Sequence, residues 1–128
     1  MNFEDLYNNL PPIKKYNQVL DDIKRYNRAD TVNMTEEEMN KFRHIAGPAY
    51  MTSEYYSAPF VRLLGAGKEV KDLLQGRKLP DTKFDMQNNE LGLEYGNSYR
   101  KDLKSKIPQK SLFDYIFETE IKPYRGQQ

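Results

Sequence analysis

Ile13-Lys-Lys-Tyr16-Asn-Gln-Val19-Leu20-Asp-Asp-Ile23-Lys-Arg-Tyr26 sets the fold class of this chain. Its apolar residues recur at steps of three and four, with Lys, Asp and Arg opposite them. That spacing predicts an amphipathic helix from Ile13 to Arg28. On its N-terminal side, Asn2 to Leu10 is a short helical segment that Pro11-Pro12 should stop. On its C-terminal side, a polar linker runs from Asn27 to Met34.

Further outward the same period continues. Thr35-Glu-Glu-Glu38 is a capping box: the Thr35 hydroxyl serves the first-turn amides, and Glu38 reaches back. The helix it opens carries Met39, Phe42, Ile45 and Ala46 inward and meets Gly47-Pro48, where a kink or restart is expected. Ser57-Ala58-Pro59 opens another helix, with Phe60, Val61, Leu63, Leu64, Val70, Leu73 and Leu74 as its apolar face. Gly76 should stop it. Residues 77–83, with Pro80, are expected as a loop. The next helix is placed at 84–105, with Leu91, Tyr95, Tyr99 and Leu103 on one side. After Pro108, Ser111 and Asp114 open a last helix whose core face is Phe113, Ile116 and Phe117. Strand-type alternation is confined to Leu91-Gly-Leu93-Glu-Tyr95, inside helical context. The expected fold is therefore all-α, a single compact bundle of five or six helices spanning residues 1–128. Within it, 1–12 reads as an N-terminal arm, 35–105 as a motif-bearing core, and 111–128 as a C-terminal helix and tail.

Composition narrows the function classes. Twenty Lys and Arg against 19 Asp and Glu leave a net charge of +1, so no global field draws the chain to nucleic acid or membrane. The basic run at 100–110, five bases against one acid, is the one candidate for a phosphate contact, and such runs usually form a solvated helix end. Cysteine is absent, so thiol chemistry and disulfides do not arise. No apolar run approaches the roughly 20 residues of a membrane span, and Met1-Asn-Phe-Glu-Asp lacks the features of a signal peptide. Ten tyrosines and six phenylalanines supply large contact area with a wettable edge, which suits thin cores and protein interfaces.

Chemistry-bearing residues gather between positions 44 and 96. The chain's only histidine, His44, precedes Glu69 and Asp72, three apart on one helix face, and then Asp85, Asn88 and Asn89. Three successive antiparallel helices can bring them to one end of a bundle, as metal and catalytic sites in bundles require. Gly65, Gly67, Gly92 and Gly96 each cost a helix interior about 1 kcal/mol, which points to close packing between the two helices that carry them. His44, Glu69, Asp72, Asp85 and Asn89 are thus the candidate catalytic residues, and paired carboxylates would raise one of their proton affinities. His44, Glu69 and Asp85 are the candidate ligands of a divalent metal, for which the oxygens favour a hard ion. No other cofactor is implied.

Each residue also has a structural reading. His44 can be a satisfied histidine at a helix seam; Glu69 and Asp72 can pair with Lys68 and Lys71; Asp85 can be an N-cap; Asn88-Asn89 can bridge helix ends. Gly65-Ala-Gly67-Lys68 is not a phosphate loop, because Arg62 stands where Walker A needs Gly and Glu69 where it needs Ser or Thr.

The pattern His … Gly-x-Gly-Lys-Glu-x-x-Asp … Gly … Phe-Asp-x-x-x-Asn-x-x-Gly resembles a motif set of small helical phage and bacterial proteins of unknown function. It is similar in this respect to VanZ-type proteins and some small periplasmic lipoproteins. The matching positions are His44, Gly67, Glu69, Asp72, Asp85, Asn89 and Gly92, within residues 41–100. The chain departs from those relatives in lacking a membrane span or lipoprotein signal. The resemblance implies a shared scaffold. The leading expectation is a structural or interaction protein, a small phage virion-associated subunit located in the virion or host cytoplasm. Its partners would be other protein subunits, and its Pro-flanked ends, 1–12 and 122–128, would be arms that order against neighbours. The competing expectation is a hydrolase of cell-envelope material, with Glu69 or Asp85 as acid or base and His44 as its partner or metal ligand.

Overall fold

A computed structural model describes residues 2–54, 56–76, 78–103 and 111–125, with the side chains of 3, 4, 54, 68–72, 79, 80, 102 and 103 outside the description. Every regular element among the described residues is helical. The α-helices are α1 (Phe3–Asn8), α2 (Pro11–Tyr26), α3 (Glu36–Glu54), α4 (Ala58–Leu74), α5 (Leu79–Ser98), α6 (Leu112–Ile116) and α7 (Lys122–Arg125). π-helical turns at Tyr99–Leu103 and Phe117–Ile121 extend α5 and join α6 to α7. The chain is an all-α compact bundle, as its periodicity predicts.

Local sequence explains most of the boundaries. Asn2 caps α1 by accepting from the Asp5 amide at 2.8 Å. The prolines at positions 11 and 12 open α2 from its first turn, where a missing N–H costs nothing. The Thr35–Glu38 capping box forms as read: the Thr35 amide donates to Glu38 Oε1 at 2.9 Å, and the Glu38 amide donates to Thr35 Oγ1 at 3.2 Å. Gly76, at φ +96°, takes the left-handed conformation that ends α4.

Helix α2 is shifted two residues toward the N-terminus of its expected span, and two larger differences follow. Helix α3 runs through Gly47-Pro48 without a restart. The break is suppressed because α3 lies at the centre of the bundle, packed against α2, α5 and α6. Helix α5 begins at Leu79 rather than at Phe84, because Pro80 sits in its tolerated first turn and does not lie in a loop. Asp85 is consequently not an N-cap but an interior residue.

The core collects Ile23 of α2, Phe42 and Ile45 of α3, Leu93 of α5, and Leu112 and Ile116 of α6, all nearly or fully buried. Tyr26 stacks on Phe42 with ring centroids 5.5 Å apart, and Phe113 closes the cluster at 5.8 Å from Phe42. The expected apolar face of α4 is buried only in part: Val61 is buried, but Leu63 is 68% and Leu74 84% exposed. The C-terminal turn from Lys122 also departs from the expected arm. It folds back onto this chain, with Arg125 ion-paired to Glu38 at 2.6 Å.

Candidate functional site

A close approach of α5 to α3 fixes the site. A Cβ on Gly92 of α5 would lie 2.3 Å from the Ile45 carbonyl oxygen, and one on Gly96 would lie 2.8 Å from that of Ala49. Both glycines therefore press α5 directly onto the backbone of α3, not onto α4. Only Gly65 of the α4 pair takes part in the seam, beside the Asn89 amide at 3.2 Å from a Cβ; Gly67 faces open space. The expected close packing of α4 on α5 is met, with Gly65 alone of the four glycines at that contact, while Gly92 and Gly96 serve the contact of α5 with α3.

One helical turn from Gly92, the same seam buries polar side chains. His44 is 3% exposed, Asp85 0% and Asn88 4%, a degree of burial that demands partners for charged or amide groups. Nε2 of His44 lies 3.4 Å from Oδ2 of Asp85, and Nδ1 lies 3.1 Å from Oδ1 of Asn89. Asn40 Nδ2 donates to Asp85 Oδ1 at 3.1 Å, while its own Oδ1 accepts from Arg43 Nη2 at 3.0 Å. A polar chain thus runs Arg43–Asn40–Asp85–His44–Asn89 across two helices. Lys41 lies beside it, its Nζ 3.5 Å from Asn88 Oδ1.

Three of the five candidate residues therefore meet: His44, Asp85 and Asn89. Glu69 and Asp72 fall in the last turns of α4, and their side chains lie outside the described ones. Among the described residues no group of three or more His, Asp or Glu side chains gathers as a metal would require. A shallow groove on the outer face of α5, lined by Met86, Gln87, Asn88, Glu90, Leu91 and Glu94, touches the constellation at Asn88 and not at His44 or Asp85.

Asn40, Lys41 and Arg43 were not singled out by sequence reasoning. Their signal was the step of three and four: Asn40, Lys41 and His44 share one face of α3, and Asp85, Asn88 and Asn89 share the facing side of α5. Polar residues at that period look like a solvated face until a tight helix crossing buries them. The basic run at 100–110 begins at an exposed arginine bonded to the end of α3. Arg100 donates from Nε to the Ser53 carbonyl and from Nη2 to the Tyr56 carbonyl, each at 3.1 Å, tying down the end of α3. Residues 104–110 lie outside the described ones.

No family model, curated protein or solved structure matches this chain. No helix among the described residues is long and apolar enough to cross a membrane.

Proposed function

We propose that this chain is a structural and interaction protein, a rigid helical subunit of a larger assembly. One observation carries the reading: both ring nitrogens of His44 face groups of its own chain. A catalytic imidazole is oriented by a carboxylate through one nitrogen and turns the other toward substrate. In His44 the second nitrogen meets Asn89. A polar chain buried between two packed helices instead serves to fix their register, since any slip would strand a buried polar group. The exposed Leu63 and Leu74 of α4 are consistent with contact surface for other subunits. A phage virion as that assembly rests on the motif resemblance alone.

The hydrolase reading keeps one favourable observation, a fully buried carboxylate beside the only histidine. Native mass spectrometry and turnover assays on cell-envelope polymer separate the two, using wild type, Asp85→Asn and Glu69→Ala. The scaffold reading expects a metal-free mass, no turnover, and an Asp85→Asn protein that unfolds more easily. Turnover lost in a folded Asp85→Asn, or a divalent ion held by wild type and lost in Glu69→Ala, would overturn it. Stoichiometric recovery of the chain from purified phage particles tests the assembly.

A further inference from the structure

The last described turn, α7, is held in an unusual way. None of its four residues is buried, and its packing is limited to a half-buried Tyr124 and to Arg125 lying 5.5 Å over the Phe117 ring. Its attachment is polar. Arg125 Nε donates to Glu38 Oε2 at 2.6 Å, and Nη2 donates to Glu38 Oε1 at 3.3 Å and to the Val32 carbonyl at 3.0 Å. The Tyr124 hydroxyl donates to Glu37 Oε1 at 2.9 Å. A two-pronged guanidinium–carboxylate contact is among the stronger polar attachments available, and here the carboxylate is 1% exposed.

Beneath this turn lies one end of the polar seam. The Lys41 ammonium sits 5.0 Å from the centre of the Tyr124 ring and 5.5 Å from that of Phe84, with its Nζ reaching Asn88. Asn88 Nδ2, on a side chain 4% exposed, has no hydrogen-bond partner among the described residues. Lys41 is one turn before His44 on α3, and Asn88 is one turn after Asp85 on α5. Lys41 therefore bridges Asn88 to the Tyr124 and Phe84 rings at this end of the network.

We propose that α7 is a strap that closes the α3–α5 polar seam, with Glu38 as its catch. Release of Arg125 lifts Tyr124 from Lys41 and opens the unmet Asn88 amide to an acceptor. The π-helical turn at Phe117–Ile121, the irregular segment that leads into α7, is where the movement would be taken up. Ile121 is the last fully buried residue among the described ones. The inference does not depend on whether the seam is catalytic or structural.

Glu38 has two duties, and one substitution separates them. Gln at position 38 retains an acceptor for the Thr35 amide, so the cap of α3 survives, but it loses the charge that holds Arg125. Hydrogen exchange and the His44 imidazole signal are the readouts, the latter unambiguous because the chain has a single histidine. In Arg125→Ala and in Glu38→Gln, exchange at residues 122–125 is expected to quicken by about tenfold or more. The His44 signal is expected to shift and the Asn88 side-chain amide to exchange faster. The first-turn amides of α3 stay protected in Glu38→Gln. Unchanged protection of 122–125 in both variants would overturn the proposal. So would a freed turn that leaves the His44 signal and the Asn88 amide unmoved, since the turn would then cover nothing.

Discussion

Gly92 and Gly67 sit in neighbouring helices and should respond to the same substitution in opposite directions. At Gly92 a methyl group would overlap the Ile45 carbonyl, a backbone atom that cannot move without displacing α3. Gly92→Ala is expected to destabilise by about 3 kcal/mol, the upper range for overpacking a rigid site. At Gly67 the added methyl meets open space, so Gly67→Ala gains helix propensity and should stabilise by about 1 kcal/mol. Urea unfolding of the two variants measures both, and like-signed changes would contradict the packing described. Asp85→Ala tests the polar chain at the same scale. It leaves His44 and Asn40 facing a void in a sealed seam, and a loss of about 3 kcal/mol is expected, the lower range for a broken buried pair.

At the scale of elements, the Thr35–Glu38 cap and the first-turn prolines acted as their chemistry dictates, while the course of the chain inside the bundle was set by neighbours. The Thr35–Glu38 box was legible because both of its hydrogen bonds are local. Thr35→Ala is expected to cost about 1 kcal/mol and to fray the first turn of α3, read by hydrogen exchange at residues 36–39. Pro48 was legible as the site of a kink or restart, and α3 does not restart there. It withholds one helical N–H, but α3 has α2, α5 and α6 packed around it, and those contacts outweigh the local preference. The start of α5 was missed for a related reason. Pro80 reads equally as a loop residue or as a first-turn residue, and only the continuation of the helix decides. That displacement turned Asp85 from a possible cap into a core residue.

For the whole molecule, pH is the most direct probe of the buried polar contacts. The Arg125 hydrogen bond holds the Glu38 carboxyl below its ordinary value of 4.5, despite the opposing effect of burial. A depressed folded value contributes stability above the unfolded value, and that stability is lost as pH falls below it. Acid unfolding below 4.5 should therefore be shallower in Glu38→Gln than in wild type, as followed by circular dichroism. Tyrosines act at the other end. Burial first, and then hydrogen bonds to Asp114 and Glu120, push the Tyr26 and Tyr95 phenols above their ordinary value of 10.0. A raised folded value contributes stability below the unfolded value that is lost as pH rises past it. Base unfolding above 10.0 should be shallower in Tyr26→Phe and Tyr95→Phe.

By itself, the amino-acid order determined the all-α class, the amphipathic helix α2, the cap of α3 and the glycine stop of α4. Those features are local, because period, caps and turns depend on residues within a few positions of one another. Tertiary structure alone decided that Gly92 and Gly96 press on α3 rather than on α4. It decided that Asn40 and Arg43 complete the chain from Asp85 to His44, and that Arg125 returns to Glu38 across 87 positions. Such contacts arise from the angle and depth at which helices cross. Those are set by the packing of the whole core and not by any single stretch of chain.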